Sequence, residues 1–292
     1  MMKKKIYLHI GYGKAGSTYL QNLFYLNSGF NTIFLRNKEL KPLIIKKKIK
    51  FIKSSFKKNK INIISDEGFT SPFSNKNLDI YRKLDKTIKL LKKSFNLKII
   101  IVVRNQKKWI ISRFSQNPLR FINVDKTIYS YSQLTKKLFQ EKKEKKWNNF
   151  KKNIDYHKMF LFLNKRVNKK NFKFLIFEDL IDNEKTFIKE LGLFFKKKNI
   201  FKIITKKLDE RLKYKTKKIK NYYLPKIKFS KFFYLFRRYG FNLTIKIYLF
   251  NKFLLPNKKE NINLMDNYYK ISNKSFSLLI KKNLKKYNYY FS

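Results

Sequence analysis

Apolar residues in this chain occur in short continuous runs, separated by stretches with an apolar residue every three or four positions. Short runs rich in branched residues are typical of buried strands, whereas the longer spacing indicates amphipathic helices. The runs predict strands at Lys5–Ile10, Asn31–Leu35, Ile61–Ser65, Leu97–Val103 and Phe172–Phe177. The spacing predicts helices at Thr18–Leu26, Leu78–Phe95, Thr127–Lys146, Asn149–Asn168 and Glu184–Phe195, with a further amphipathic helix within Tyr268–Phe291.

Strands that alternate with helices favour a parallel sheet flanked by helices, so the predicted fold class is α/β. The length of 292 residues fits one large domain of this class. No linker divides the chain, and we therefore predict a single domain over residues 1–292.

The composition excludes several classes of protein and of metal site. Apolar residues make up 43% of the sequence, which is enough for a sizeable core and excludes a disordered basic tail. The absence of cysteine excludes disulfides and thiolate metal sites, and it makes a reducing, cytoplasmic location the simpler expectation. Because His9 and His157 are the only histidines, we expect no metal site.

The formal net charge of +54 predicts attraction to polyanions such as anionic lipid headgroups, acidic glycans or nucleic acid. The abundance of Lys, Asn, Ile, Phe and Tyr is also what an AT-rich bacterial genome places at permissive surface positions. That bias accounts for most lysines, but it does not account for an acid count of only 18. No basic stripe follows one helix and no nucleic-acid module is recognised, so we expect no nucleic-acid partner.

No run of about 18 uncharged apolar residues occurs, so no membrane-spanning helix is predicted. The nearest approach, Phe229–Leu255, mixes aromatic residues with lysine and arginine. Such a stretch suits the surface of an anionic membrane, and it also suits a pair of core helices. A peripheral contact with the inner face of the membrane is therefore one of two interpretations.

The segment HIGYGKAGSTYLQ, His9–Gln21, follows the first predicted strand and leads into a helix. Such a segment can cradle an anion, because glycines let the backbone approach the ligand and the first amides of the helix point at it. The arrangement is P-loop-like. However, the P-loop pattern needs a lysine directly after its second glycine, and Ser17 stands there. A nucleotide triphosphatase is therefore disfavoured.

A dinucleotide-binding pattern is the first of two alternatives for this loop. Gly11, Gly13 and Gly16 match the spacing G-x-G-x-x-G. Arg36 stands where this type of site has a residue for the ribose, and an arginine there suits the ribose phosphate of NADP. An NADP-dependent oxidoreductase is therefore the alternative function.

The second alternative includes the lysine of the loop. The pattern G-x-x-K-x-G-S-T at Gly11–Thr18 resembles the 5′-phosphosulfate loop of sulfotransferases of the bacterial and carbohydrate type. These enzymes use 3′-phosphoadenylyl sulfate (PAPS). The segment IIIVVRNQKKWIISRFSQ resembles their 3′-phosphate motif, with Arg104 and Ser112 at the matching positions. The family has proline where this chain has Gln106, a departure that affects the turn of this loop.

Weaker similarities at IISDEGF, FKFLIFEDL and the C-terminal end extend the resemblance over nearly the whole chain. The resemblance implies transfer of a sulfuryl group from PAPS to a hydroxyl acceptor without a metal, and IISDEGF points to a glycan or glycolipid acceptor. The implied donor-binding residues are Gly11, Lys14, Gly16, Ser17, Thr18, Arg104 and Ser112, with Lys14 also catalytic. Residues 200–260 fall outside the resemblance, and we interpret them as an insertion that faces the acceptor or a membrane.

An acceptor hydroxyl needs a base, and Glu67 is the predicted one. It follows the predicted strand Ile61–Ser65, and the carboxyl ends of parallel strands share the edge of the sheet where ligands bind. A carboxylate at that edge can accept the hydroxyl proton during attack on sulfur. Asp66, whose shorter side chain could instead cap the next segment, and His157 remain the alternatives.

Overall fold

A parallel β-sheet forms the centre of the computed structural model, which describes residues 3–33, 49–74, 77–117, 119–128, 131–140, 144–196 and 262–289. Within these residues the strands are β1 (Lys5–His9), β2 (Phe30–Ile33), β3 (Ile61–Ser65), β4 (Asn96–Val103) and β5 (Phe172–Ile176). Their order is β2-β3-β1-β4-β5, and every neighbouring pair is parallel. The predicted α/β class is therefore confirmed.

Helices flank the sheet. They include α1 (Ser17–Leu26), α2 (Tyr81–Ser94), α3 (Gln106–Gln116), α4 (Leu119–Val124), α5 (Tyr131–Phe139), α6 (Lys145–Asn153), α7 (Tyr156–Val167), α8 (Phe177–Asp182), α9 (Glu184–Phe195) and α10 (Ile262–Ile280). Strands β3 and β4 are buried along almost their whole length. Covering by helices explains why these strands are continuous apolar runs rather than alternating ones.

The middle of the chain departs from the sequence prediction. The single helix predicted over Thr127–Lys146 is wrong, because α5 ends at Phe139 and α6 begins only at Lys145. The helix predicted over Asn149–Asn168 is interrupted between α6 and α7. There Asp155 caps α7 by accepting a hydrogen bond from the amide of Lys158 at 3.1 Å. Aspartate is preferred at the start of a helix, where its side chain accepts hydrogen bonds from backbone amides, and the preceding helix ends before it. The spacing of apolar residues does not show this preference.

The strand order brings four connections together. In a parallel sheet the carboxyl ends of all strands lie at one edge. The glycine-rich loop follows β1, Glu67 follows β3, Arg104 follows β4 and Phe177 follows β5. This edge therefore carries the chemistry-bearing segments that the sequence predicted.

Three predictions concern segments that lie outside the described residues: Arg36, the insertion at residues 200–260 and the stretch Phe229–Leu255. Among the residues that are described, no helix has an apolar run long enough to cross a bilayer.

Candidate functional site

In the loop after β1, every backbone carbonyl from Gly11 to Lys14 accepts a hydrogen bond. The Gly11 carbonyl accepts from Thr70 Oγ1 (2.8 Å), and the Tyr12 carbonyl accepts from Ala15 N (2.9 Å) and Ser17 Oγ (3.1 Å). The Gly13 carbonyl accepts from Trp109 Nε1 (2.7 Å), and the Lys14 carbonyl accepts from Arg104 Nη1 (2.9 Å). The C=O and N–H of a trans peptide point in opposite directions. Because Thr70 and Trp109 hold the carbonyls of Gly11 and Gly13, the amides of Tyr12 and Lys14 that follow them point away from those two side chains, as an anion-binding loop requires.

Two positions of this loop require glycine for steric reasons. A Cβ on Gly11 would lie 2.7 Å from His9 Nε2 and 2.8 Å from Ser17 Oγ, so a larger residue would force these two side chains to shift. Gly16 caps α1 with φ of +80°, in the left-handed region that glycine enters without penalty. Lys14 adopts φ of 74° without being glycine, which costs about 1–2 kcal/mol. Strain of this kind is found where a loop is held in one shape for a ligand.

Arg104 links the loop after β4 to the loop after β1. Besides its bond to the Lys14 carbonyl, its guanidinium lies over the ring of Phe177, with Cζ 4.8 Å from the ring centroid. Its own carbonyl accepts a hydrogen bond from the hydroxyl of buried Tyr156. The structure thus brings together Arg104 and Lys14, the two residues that the sequence assigned to opposite ends of one ligand.

The remaining candidates of the loop and of α3 occupy different environments. Ser17 is buried, and its hydroxyl closes the loop through its bond to Tyr12, so the hydroxyl is engaged within the protein. Thr18 is exposed on the first turn of α1. Ser112 lies half-buried on α3, eight positions after Arg104. Among these hydroxyls, that of Thr18 is the most accessible to a ligand.

Asn105 and Gln106 fix the start of α3. Asn105 Oδ1 caps the helix by accepting from the amide of Lys108 at 3.0 Å. Gln106, which stands at the family's proline position, is fully buried and donates from Nε2 to Asn273 Oδ1 at 2.8 Å. Asn273 returns a bond to Gln106 Oε1 at 3.2 Å. The turn is therefore held by side-chain amides that connect it to α10.

Glu178 supports the same loop from the other side. Glu178 is buried and accepts from the amide of Asn105 at 3.1 Å and from the hydroxyl of Tyr289 at 2.9 Å. Burial raises the pKa of its carboxyl, and these two hydrogen bonds oppose that shift. Glu178 thus joins β5, the Arg104 loop and the C-terminal end.

Glu67 begins a short 3₁₀ turn, Glu67–Thr70, directly after β3. Its side chain reaches the glycine-rich loop, because Oε2 lies 3.0 Å from the position that a Cβ on Gly13 would take. Asp66 has a different role, because its Oδ1 accepts a hydrogen bond from the amide of Gly68 at 2.6 Å and caps the turn. Burial raises the pKa of the Asp66 carboxyl. Glu67 is therefore the acid of this pair that approaches the loop.

The two histidines are placed very differently. His9 ends β1, is fully buried, and shares a hydrogen bond of 2.7 Å between Nδ1 and Ser65 Oγ. Its Nε2 is buried beneath Gly11 and has no hydrogen-bond partner among the described residues. Burial lowers the pKa of His9 to about 3. His157 lies half-buried in the first turn of α7.

Acid should destabilise the native chain through His9. A histidine in the unfolded chain titrates near ~6.5, so between pH 6.5 and about 3 the unfolded state binds one more proton than the native state. The free energy of unfolding therefore falls as pH is lowered through this window, by roughly 1.4 kcal/mol per pH unit. We expect His9→Gln to remove most of this slope in urea titrations at pH 7, 6 and 5. His157→Gln is the matched control and should keep the slope; an unchanged slope in His9→Gln would contradict the assignment.

Several residues of the site escaped the sequence analysis. Thr70 and Trp109 hold carbonyls of the loop, and Arg113 of α3 lies against Gly13, with Nη1 2.8 Å from the position of a Cβ there. Trp109 and Arg113 both stand inside the quoted segment RNQKKWIISRFS, four positions apart, so they lie on the same side of a helix. That spacing was the available signal.

Comparisons with known proteins identify the family of this chain. The family model described as "Sulfotransferase domain" matches residues 5–235. A solved sulfotransferase from Alicyclobacillus acidocaldarius is similar in fold, with a TM-score of 0.52 and 8% identity over 98% of this chain and 99% of that one. A sulfotransferase domain from the curacin biosynthetic pathway gives a TM-score of 0.37 and 13% identity over 67% of this chain and 75% of that one. A search of curated protein sequences gave no significant match.

Proposed function

Because the chain belongs to the sulfotransferase domain family, we propose that it transfers a sulfuryl group from PAPS to a hydroxyl of a glycan or glycolipid. The observation that carries the choice of donor is the 2.9 Å bond between Arg104 Nη1 and the Lys14 carbonyl. It supports a single ligand that spans the two loops, with one anionic group at each. The acceptor class is supported by the resemblance of the IISDEGF segment and by the net charge of +54.

The proposed donor site has two ends. The loop Gly11–Thr18 holds the 5′-phosphosulfate through its amides and through the ammonium of Lys14, an exposed residue of the loop. Arg104 and Ser112 hold the 3′-phosphate, for which the planar guanidinium offers paired donors. This division of roles follows the residues of this chain that match the family's motifs.

The proposed chemistry is a displacement at sulfur. The acceptor oxygen forms a bond to sulfur while the bond from sulfur to the phosphate oxygen breaks, and 3′,5′-ADP leaves. Glu67 takes the proton of the acceptor hydroxyl, and Lys14 stabilises the negative charge that grows on the leaving oxygen. The approach of Glu67 Oε2 to Gly13 supports this pairing, because it places a carboxylate beside the loop that carries Lys14.

A thermal-shift panel tests the donor. A ligand that binds only the native state raises the melting temperature by an amount set by its concentration relative to Kd. We expect a shift with 3′,5′-ADP and none with NADPH, ATP or an oligonucleotide at equal concentration. A shift with NADPH alone would support the oxidoreductase. The strand order already speaks against that alternative, because β1 neighbours β3 here, whereas the dinucleotide-binding order places β1 beside β2.

We also propose that residues 1–292 form one domain and that Phe229–Leu255, outside the described residues, contributes a peripheral membrane contact. A basic, aromatic stretch binds anionic headgroups and inserts its rings at the interface. The full chain should then co-sediment with vesicles containing phosphatidylglycerol at moderate salt, and Arg237→Glu with Arg238→Glu should reduce that binding. Replacing Lys92 and Lys93, exposed on α2, by glutamate is the charge-matched control. Failure of the unaltered chain to bind these vesicles would leave the core-helix interpretation.

A further inference from the structure

Arg113 is a buried cation beside the glycine-rich loop. Its side chain is 7% exposed, and Nη1 and Cζ lie 2.8 and 3.2 Å from the position of a Cβ on Gly13. Glu67 Oε2 lies 3.0 Å from that same position. Arg113 and Glu67 therefore converge on one point at the edge of the loop, although they come from α3 and from the segment after β3.

The guanidinium has little to balance its charge. Nη1 donates to Gln116 Oε1 at 3.2 Å, a neutral acceptor, and Nε is buried with no hydrogen-bond partner among the described residues. Within that part of the chain no carboxylate lies within ion-pair distance of it. Burial lowers the pKa of Arg113, the nearby Arg120 lowers it further, and Glu67 acts in the opposite direction. A buried cation whose hydrogen-bond partner is neutral and whose nearest carboxylate is not an ion-pair partner is costly, and an incoming anion would relieve that cost.

We propose that Arg113 binds an acidic group of the acceptor, so that the acceptor carries a carboxylate or phosphate close to its reacting hydroxyl. This inference rests on the proposed function. The anionic groups of the donor have partners in the loop around Lys14 and in Arg104, whereas Arg113 shares its position with Glu67, the proposed base. An acid held by Arg113 would bring the neighbouring hydroxyl to Glu67. A guanidinium is suited to this task because it binds carboxylates and phosphates through paired hydrogen bonds.

The test compares acidic and neutral sugars that are otherwise alike. The probes are p-nitrophenyl β-D-glucuronide against p-nitrophenyl β-D-glucoside, and glucose 6-phosphate against glucose, measured by calorimetry with and without 3′,5′-ADP. We expect the unaltered chain to bind the acidic member of at least one pair about 10-fold or more tighter, as a charged hydrogen bond gives. Arg113→Gln should abolish that preference. Arg120→Gln, at an exposed arginine on the next helix, is the control and should keep it.

The outcomes separate this inference from the proposed function. If 3′,5′-ADP binds but no acidic sugar is preferred, the inference is overturned and the donor assignment stands. If 3′,5′-ADP fails to bind while an Arg113-dependent preference remains, the donor assignment is wrong and the anion site stands. If Arg113→Gln weakens PAPS but not 3′,5′-ADP, the guanidinium binds the sulfuryl group of the donor, which also overturns the inference.

Stability gives a readout that needs no acceptor. Arg113→Met replaces a buried charge that has no direct ion pair by an apolar side chain of similar length, and replacements of buried charges by apolar residues are often neutral or stabilising. We expect the melting temperature of the ligand-free chain to stay the same or rise in Arg113→Met while the preference for acidic sugars is lost. A large fall in melting temperature would make Arg113 a structural residue and contradict the proposal. Arg113→Lys, which keeps the charge without the paired donors, should retain part of the preference.

Discussion

Glu67→Gln should lower the turnover of sulfuryl transfer by roughly 10²–10⁴-fold, because it removes the group that takes the proton while keeping the shape of the side chain. The 3′,5′-ADP affinity should stay near that of the unaltered chain, since Glu67 is proposed to act on the acceptor and not on the donor. Turnover with radiolabelled PAPS and a calorimetric titration with 3′,5′-ADP measure the two quantities.

The neighbours of Glu67 provide matched controls. Asp66→Asn should remain active, because Asp66 caps the turn through Gly68 and an asparagine caps almost as well. His157→Gln should also remain active. If Glu67→Gln keeps its turnover while either control is inactive, another residue is the base and the assignment is wrong.

Arg104→Ala should weaken binding of 3′,5′-ADP by about 10- to 150-fold, the loss expected when a charged hydrogen-bond donor is removed. Binding of 5′-AMP, which lacks the 3′-phosphate, should weaken much less. A small loss for 5′-AMP is still expected, because Arg104 also donates to the Lys14 carbonyl and so helps to shape the 5′ loop. Calorimetric titrations with both nucleotides give the comparison.

Phe177→Leu is the control for Arg104→Ala. It removes the ring beneath the guanidinium but keeps the charge, so the loss of 3′,5′-ADP affinity should be much smaller. Equal losses of 3′,5′-ADP and 5′-AMP affinity in Arg104→Ala would show that Arg104 does not contact the 3′-phosphate.

The sheet was predictable because its strands are continuous apolar runs. Ile61–Ser65 was predicted with the bounds that β3 has, and the run in β4 marked the strand before Arg104. The ends of the helices around Asp155 were harder to predict from the sequence, because a capping residue inside a lysine-rich stretch changes the apolar spacing very little. There the ends depend on hydrogen bonds such as that from the Lys158 amide, and not on periodicity.

The glycines of the loop after β1 were predictable from the sequence, because backbone geometry dictates the residue type there. Gly11 and Gly16 are needed for close approach and for a left-handed backbone, and both requirements appear in the sequence as glycine. Arg113 and Glu178 were not among the predicted site residues, because residues distant in sequence bring them to the site: Arg113 lies against Gly13 of the loop after β1. Glu178 meets Asn105 and Tyr289 only after β4, β5 and the C-terminal end have packed together.

The exchange of hydrogen bonds between Gln106 and Asn273 has a consequence for how this sequence can evolve. Two buried amides that bond to each other form an epistatic pair, because changing one removes hydrogen bonds from the other. A proline at position 106 would remove the donor to Asn273 Oδ1 while Asn273 Nδ2 kept its bond to the Tyr289 carbonyl, and the loss would fall on the loop that carries Arg104. The effect of a substitution at position 106 therefore depends on the residue at position 273. Position 106 is constrained by α10 as well as by its own loop, so the two segments of the chain cannot vary independently.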